Sequence, residues 1–279
     1  MVRIRGIFID AGHGLGPTGA MDNGAIGRGT TERQEVTEMA RETVALLRAD
    51  PDFAVVEIIP IGVDTRLRLI DKIVQVNAIC AARGWMEGDA FLVSIHINAA
   101  SDAAARGLEA WHATRGGAGI NFSRVLIDAV AQSTGLPLRT RPVRVSSENR
   151  HGRLGILDDT KITASLLEMG FITNEFDART FKDMQLDDRF AEGIRRGIRV
   201  YLGLPASPAS VPTVTPLPSA LFLDVPANAW YAKDVEFCTE EGIFERRPEH
   251  PSFHPERPVT RAELAAVIAR HLHKRHPSL

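Results

Sequence analysis

Four polar residues stand at positions in this sequence where catalytic sites are commonly built. His13 lies between two glycines directly after an apolar segment, and His96 and Glu168 lie near the ends of two others, while Glu32 begins a helical pattern. Two histidines and a carboxylate are the ligand set of a catalytic zinc ion that keeps one position open for water. A second carboxylate can then take a proton from that water. These residue types predict metal-assisted hydrolysis.

Each of these residues also has a structural interpretation. His13 can fill a tight turn, and Glu32 can complement the dipole of a helix. His96 can be a hydrogen-bonded residue of the core. Glu168 is harder to explain in this way, because a buried carboxylate must be paired or coordinated. The joint pattern favours chemistry, although order along a chain does not establish proximity.

The elements that must position these residues alternate along the first 204 residues. Five apolar segments have the length of strands: RIRGIFID, FAVVEII, AFLVSIHI, GLEAWHA and ASLLEM. Helical periodicity is found in residues 32–48, 119–134 and 185–203. The alternation predicts an α/β domain with a mixed, largely parallel sheet covered by helices on both faces. Because catalytic groups in such folds lie at the carboxyl ends of strands, His13, His96 and Glu168 are expected to converge.

Composition and charge exclude several classes of function. The chain has 279 residues, of which 44% are hydrophobic and 24% charged, with a formal net charge of -2. This balance predicts no general attraction to nucleic acid or to anionic membranes. No apolar run is long enough to span a bilayer, and no secretion signal is recognisable at the N-terminus. Two distant cysteines, Cys80 and Cys238, exclude a disulfide framework and a cysteine-rich zinc site.

A change in composition divides the chain into two domains. Residues 205–220, PASPASVPTVTPLPSA, are uncharged and rich in Pro, Ser, Thr and Ala, which is typical of an extended spacer. We therefore predict a catalytic domain in residues 1–204, a linker in 205–220 and a small, mainly helical module in 221–279.

Six short motifs occur in order along the first domain. They are Asp10-Ala11-Gly12-His13-Gly14, Gly24-Ala25-Ile26-Gly27, Glu32 with Ala40, Ser94-Ile95-His96-Ile97-Asn98-Ala99, Gly107-Leu108-Glu109 and Glu168-Met169-Gly170-Phe171-Ile172-Thr173-Asn174. Through these motifs residues 3–203 resemble the zinc-dependent N-acetylmuramoyl-L-alanine amidases of the amidase-3 type.

The resemblance implies that His13, Glu32 and His96 bind one zinc ion and that Glu168 is the catalytic carboxylate. It implies hydrolysis of the amide between the lactyl group of muramic acid and L-alanine of the peptidoglycan stem. Glu168 would deprotonate the attacking water and pass the proton to the leaving amine.

Two regions depart from the family pattern. The segment GLGPTGAMDNGA after His13 is longer than usual, so that Glu35 becomes an alternative ligand to Glu32, which we favour for its spacing to Ala40. Thr30 or Thr31 is the expected N-cap of this helix.

The second departure is an arginine-rich segment, residues 139–157, which replaces a basic family motif. Arginines of this segment suit peptide carboxylates, because a guanidinium group binds a carboxylate with two hydrogen bonds. We predict Asn98, Arg150 and Arg153 as substrate-binding residues. A solvated loop is an equal alternative for the segment, and His151 is expected at the surface.

The C-terminal module resembles a surface-layer homology domain. The matching pieces are Phe222-Leu223-Asp224-Val225, Trp230, Gly242-Ile243, Phe253-His254-Pro255 and Thr260-Arg261-Ala262-Glu263. The resemblance implies binding of a secondary cell-wall polymer. We predict one helix from Trp230 to Glu241 and a second one capped by Thr260 and Glu263, with an apolar stripe that includes Leu264 and Ile268.

The sequence therefore predicts a peptidoglycan amidase that carries a wall-binding module. A zinc carboxypeptidase or endopeptidase acting on stem peptides, or a wall-anchoring protein without catalysis, are the alternatives. The lack of a recognisable signal favours synthesis in the cytoplasm and release to the wall at lysis, as for a phage endolysin. A secreted enzyme whose leader is absent from this sequence is the alternative.

Overall fold

A computed structural model describes most of the chain. The described residues are 4–63, 65–181, 184–206, 222, 225, 232–244, 253–254, 257 and 259–275. The chain divides into two compact units, residues 1–209 and 210–279. Residues 207–221, most of the predicted linker, lie outside the described residues, so the exact domain bounds remain a prediction.

A mixed sheet forms the centre of the first unit. The strands of this sheet are β1 (Gly6–Ala11), β6 (Glu57–Ile61), β7 (Ala90–Asn98), β8 (Leu108–His112), β9 (Leu138–Val145) and β10 (Thr163–Phe171). Within the described part of the sheet, these six strands have the order β6-β1-β7-β10-β8-β9. Neighbouring strands are parallel, except that β8 is antiparallel to β10. The prediction of a mixed, largely parallel sheet is confirmed.

Two small hairpins lie between β1 and the first helix. They pair β2 (Gly14–Leu15) with β3 (Met21–Asp22) and β4 (Ile26–Gly27) with β5 (Thr30–Thr31). The second hairpin leads directly into the first helix, so it determines where that helix begins.

Helices cover both faces of the sheet, as the alternating pattern predicted. The helices of this unit are α1 (Glu32–Ala49), α2 (Leu69–Arg83), α3 (Ala118–Thr134), α4 (Gly155–Asp158), α5 (Glu175–Phe181) and α6 (Met184–Tyr201). Side chains of α1, α3 and α6 share one core with Ile7 and Ile9 of β1. Those of α2 and α4 share the opposite core with Phe8. Alternate residues of β1 thus enter different cores. Burial of each of these apolar side chains contributes about 1.5–3 kcal/mol to the free energy of unfolding.

Several elements of this unit are absent from the sequence prediction: the two small hairpins, the short helices α4 and α5, and the longer elements α2 and β9. Helix α2 leaves Leu69, Ile70 and Val74 exposed, so its sequence lacks the polar face that marks a surface helix. Strand β9 lies in the arginine-rich segment, and its charges and Pro142 are typical of an edge strand but equally of a loop. The predicted strand over 53–59 is also displaced, since residues 51–53 form a 3-10 turn before β6.

The second unit contains α7 (Ala232–Glu240) and α8 (Arg261–Arg275). Phe222, Val225 and Val235 form a small buried cluster. Thr260 directly precedes α8, as expected of its N-cap, and Leu264 and Ile268 of the predicted apolar stripe are about half exposed. Trp230 lies outside the described residues, as does the side chain of Glu263. No helix in the described ranges has the length and apolar character needed to cross a membrane.

Candidate active site

A buried ion pair fixes the end of β1, where the site begins. Asp10 lies 2.8 Å from Nζ of Lys72 in α2, and both side chains are buried. Oγ of Ser94 on β7 donates a 2.6 Å hydrogen bond to Asp10, and Lys72 also donates to the carbonyl of Ala11. His13 follows with a φ of 64°, in the left-handed region that costs a non-glycine residue about 1–2 kcal/mol. Contacts from α2 and β7 therefore fix the end of β1, directly before the residue that adopts this unfavourable conformation.

Glu32 links the two histidines. Its Oε1 lies 2.9 Å from Nε2 of His13 and 3.0 Å from Nδ1 of His96. The backbone N–H of Ile97 donates to Oε1 at 3.0 Å, and that of Ala25 donates to Oε2 at 2.9 Å. Burial alone would raise the pKa of Glu32, but hydrogen bonds and charge from both histidines hold it well below its usual range. The carboxylate is therefore ionised and oriented.

The three side chains fit a divalent metal ion. One ligand atom from each of His13, Glu32 and His96 lies within 4.8 Å of the others. Nε2 of His13 is buried and finds no partner with hydrogen-bond geometry in the part of the chain that the structure describes. Nitrogen and carboxylate donors in this combination are those of catalytic zinc sites.

Glu35, the alternative ligand, lies elsewhere. It is buried and accepts a hydrogen bond from Oγ1 of Thr30. Thr31 is the N-cap of α1, and its hydroxyl accepts from the backbone N–H of Gln34 at 3.3 Å. The structure thus brings Glu32, the first residue of α1, to the histidines.

Two glycines allow the three candidate ligands His13, Glu32 and His96 to approach one another. A Cβ atom added at Gly24 would lie 2.5 Å from both Nε2 of His13 and Oε2 of Glu32. One added at Gly12 would lie 2.7 Å from Cε1 of His96. Any larger residue at these positions would overlap the side chains of the candidate ligands, which explains why glycine occupies both motifs.

Asp22 orients His13 from the side opposite to Glu32. Its Oδ2 lies 3.0 Å from Nδ1 of His13, and its Oδ1 accepts a 2.9 Å hydrogen bond from the backbone of Gly24. Burial alone would lower the pKa of His13, but Glu32 and Asp22 raise it above its usual value. This role of Asp22 is absent from the sequence prediction, although its position just before the Gly24 motif was the available indication.

Glu168 lies beside the histidine–carboxylate cluster. On β10 it is in register with His96 of β7 on one side and with Glu109 of β8 on the other. Its Oε2 is buried and has no hydrogen-bond partner among the described residues. Burial, together with the charges of Glu32 and Glu109, raises the pKa of Glu168 well above its usual value. A carboxylate in this environment takes up a proton more readily than an exposed one.

Asn98 on β7 forms a hydrogen bond with Glu109 on β8, the residue in register with Glu168. Its Nδ2 donates a 2.8 Å hydrogen bond to Oε1 of Glu109, and Oε2 of Glu109 lies 2.9 Å from Nε of Arg139 on β9. Burial raises the pKa of Glu109, although Arg139 and Arg144 act in the opposite direction. Glu109 entered the sequence prediction only as part of a motif. The structure adds it and Arg139 to the surroundings of Glu168.

Arg150 and Arg153, predicted to bind substrate, are exposed. Nε of Arg150 donates a 3.0 Å hydrogen bond to His151, which is also exposed, and Arg153 forms an ion pair with Asp159. The structure does not bring either arginine to Glu109 or Arg139, and their role in substrate binding remains a prediction.

Known proteins share both parts of the sequence. Residues 7–200 match the sequence model of the family described as N-acetylmuramoyl-L-alanine amidase, and residues 221–265 match that of the S-layer homology domain. The chain is 29% identical over 195 residues to the N-acetylmuramoyl-L-alanine amidase LytC of Bacillus subtilis strain 168. The match covers 70% of this chain and 35% of LytC, so the chain spans about a third of that relative.

Solved structures share the fold of the first unit. The catalytic domain of CwlV, an N-acetylmuramoyl-L-alanine amidase from Bacillus (Paenibacillus) polymyxa var. colistinus, is 28% identical with a TM-score of 0.58. The match covers 72% of this chain and 99% of that one. An N-acetylmuramoyl-L-alanine amidase from Clostridium difficile 630 has a TM-score of 0.59 at 23% identity, covering 72% of this chain and 98% of that one. At this lower identity the likeness concerns the fold.

Proposed function

The chain belongs to the N-acetylmuramoyl-L-alanine amidase family through residues 7–200, and on this premise we propose that it is a zinc-dependent peptidoglycan amidase. It hydrolyses the amide between the lactyl group of muramic acid and L-alanine of the stem. The observation that carries the proposal is the meeting of His13, Glu32 and His96 beside Glu168.

His13, Glu32 and His96 would hold the zinc ion. When bound, zinc supplies a Lewis acid for the substrate carbonyl and lowers the pKa of water to about 7. The protein contributes the geometry: Asp22 holds Nδ1 of His13, which leaves Nε2 directed toward Glu32. Such outer contacts fix the orientation and the tautomer of a ligating imidazole.

Glu168 moves the proton in the reaction. It accepts a proton from the attacking water, whose oxygen adds to the carbonyl carbon of the amide. It then donates that proton to the amine nitrogen as the carbon–nitrogen bond breaks, so the products are the lactyl carboxylic acid and a free amino group on L-alanine. The position of Glu168 suits both steps, because its Oε2 is buried and accepts no hydrogen bond from the described residues that would compete for the proton.

The second unit would attach the enzyme to the wall. Residues 221–265 match the S-layer homology domain, and Arg261 at the start of α8 is exposed. We propose that this unit binds an anionic secondary cell-wall polymer and that the enzyme acts at the cell wall.

Product analysis on purified peptidoglycan tests the proposal. Zinc-loaded wild type is compared with Glu168→Gln, which keeps the size of the side chain. The control variant is Glu57→Gln, on the edge strand β6. Mass spectrometry should detect new N-terminal L-alanine with the wild type and the control but not with Glu168→Gln. Other new peptide ends would instead indicate a carboxypeptidase or endopeptidase. If no product forms while the protein still sediments with walls, the chain is a wall-binding protein.

A further inference from the structure

An open cleft lies next to the proposed catalytic carboxylate. Its volume is about 940 Å³, within the range of clefts that bind small ligands. The lining residues, which we call the arginine cleft, are Ala104, Ala105, Arg106, Glu109, Pro137, Leu138, Arg139, Thr140, Arg141 and Arg144.

Glu109 joins the arginine cleft to the active site. It lines the cleft, and on β8 it lies directly opposite Glu168 of β10. Neighbouring strands are about 4.8 Å apart, so the cleft begins one strand away from the carboxylate that moves the proton. A substrate that reaches Glu168 therefore has the arginine cleft within reach.

Aromatic faces and carboxylates hold three of the guanidinium groups. Arg144 lies over the ring of Trp111, with 4.3 Å to the ring centre, and its Nε lies 3.3 Å from Glu148. Arg141 shares the same carboxylate at 2.9 Å. Arg139 lies over the ring of Phe171 at 4.8 Å and pairs with Glu109. Stacking of this kind fixes a guanidinium group without using its N–H donors.

The fourth guanidinium group belongs to Arg106, which lies over the exposed ring of Phe176 with 5.1 Å to the ring centre and whose carboxylate partner has other contacts. Nε of Arg106 lies 3.7 Å from Asp177. Oδ2 of Asp177 accepts hydrogen bonds from the backbone N–H of Gly107 at 2.7 Å and of Phe171 at 3.0 Å. The ion pair with Arg106 is thus long, and the carboxylate is oriented by the backbone.

Positive charge exceeds negative charge around the arginine cleft. Among the described residues, the carboxylates paired with its four arginines are Glu109, Glu148 and Asp177. Each guanidinium group carries five N–H donors, more than these carboxylates accept in the contacts above. The cleft is therefore suited to bind an additional anion with charge-assisted hydrogen bonds.

We propose that the arginine cleft binds a free carboxylate of the stem peptide, within about three residues of the scissile amide. This inference rests on the proposed function and adds to it the part of the substrate that the enzyme reads. An extended peptide spans about 3.3–3.6 Å per residue, so two or three residues bridge the distance from Glu168 across β8 into the cleft. A stem peptide with a carboxamide in place of this carboxylate lacks the negative charge. Its amide N–H groups would also face the N–H donors of the arginines, so it should bind more weakly.

A matched pair of synthetic muramoyl peptides tests the proposal. The two differ only at the second stem residue, which carries a free carboxylate in one and a carboxamide in the other. With zinc-loaded wild type we expect kcat/KM to be about 10-fold or more higher for the carboxylate, chiefly through a lower KM, as for loss of one charge-assisted contact.

Arginine variants assign the preference to the cleft. Arg141→Gln and Arg144→Gln should lose most of it and raise KM for the carboxylate peptide. Arg83→Gln should keep it, because Arg83 forms a comparable ion pair with Glu57 at the opposite edge of the sheet. Arg144→Gln removes a stacking contact and can therefore impair folding. Because the side chain of Arg141 is 68% exposed, Arg141→Gln should fold normally and still test the proposal.

The failures of the two proposals are distinguishable. If wild type cleaves both peptides equally well and the cleft variants match Arg83→Gln, the amidase function stands and the cleft proposal is wrong. If the cleft variants instead lose only binding to a phosphate-containing wall polymer, the anion has another source and the proposal is also wrong. If neither peptide is cleaved, the proposed function fails, and the cleft proposal that rests on it fails too.

Discussion

Gly24 lies so close to His13 that a single added methyl group would overlap the imidazole. The Cβ of an alanine at position 24 would be 2.5 Å from Nε2 of His13, the nitrogen that faces Glu32. The site therefore depends on the lack of a side chain at a residue that itself contributes no ligand.

Replacement of Gly24 should separate metal binding from folding. We expect Gly24→Ala to lower the zinc affinity at least 10-fold, because His13 or Glu32 must move to accommodate the new atom. Gly19→Ala is the matched control: Gly19 also has a positive φ, 81°, but a Cβ added there would have no described atom within 4 Å. Both variants carry the left-handed cost of about 1–2 kcal/mol, whereas only the first should lose zinc in a chelator-competition titration. Equal zinc affinities would contradict the steric argument.

Asp22→Asn should weaken zinc binding through the orientation of His13. Outer partners of ligating histidines typically change metal affinity by about 10–100-fold, and we expect the lower end because Asp22 is half exposed. The measurement is the same titration, with thermal unfolding of the metal-free protein to show that stability is little changed. A zinc affinity equal to that of wild type would mean that the loop alone orients the imidazole.

Glu168 should make the metal-free protein less stable as the pH rises. Since its folded pKa is above the usual value of 4.5, the native state keeps a proton that the unfolded state releases between the two pKa values. The resulting loss of free energy of unfolding is absent below the pKa of Glu168 in the unfolded state. It grows between the unfolded-state and folded-state pKa values and is complete above the folded-state pKa. Glu168→Gln cannot ionise. Denaturant unfolding at about pH 4 and pH 8 should therefore show the variant gaining stability over wild type only at the higher pH. A constant difference would contradict the raised pKa.

Loss of Lys72 should destabilise the fold more than loss of its whole ion pair. Lys72→Met leaves Asp10 buried with Ser94 alone, and removal of one partner of a buried pair typically costs about 3–5 kcal/mol. The double variant Lys72→Met/Asp10→Asn removes the uncompensated charge and should recover part of this loss. Denaturant unfolding of wild type, both single variants and the double variant measures the coupling. Additive effects would show that the two residues act independently.

The strands that carry the site were predictable because their sequences agree with their environment. The apolar segments that end near His13, His96 and Glu168 are buried on both faces of a parallel sheet, and such strands are continuous apolar runs. The carboxyl ends of these strands meet, so residues far apart in sequence converge. The choice of Glu32 over Glu35 came from the family resemblance and its spacing to Ala40, whereas the helical pattern indicated only that α1 begins near this residue.

Other parts of the site depend on contacts that periodicity does not encode. Asp22 acts from a hairpin of two-residue strands, too short to show any pattern. Strand β9 is an exposed edge whose arginines and proline conceal its pairing with β8. The cleft beside Glu109 could not be predicted because it depends on that pairing. The sequence therefore does not show which arginines of this segment lie near the site. Arg139 contacts Glu109, whereas Arg150 contacts His151.

The mutual contacts of His13, Glu32 and His96 make metal loading an exchange of ions. In the structure Glu32 lies between both imidazoles, and the raised pKa of His13 favours a proton on that ring. Zinc requires neutral imidazole, so uptake must expel whatever proton the cluster holds. A proton on the cluster would therefore compete with zinc for the same imidazole nitrogens. Zinc binding would therefore release protons to the surroundings, and an acidic medium would weaken it.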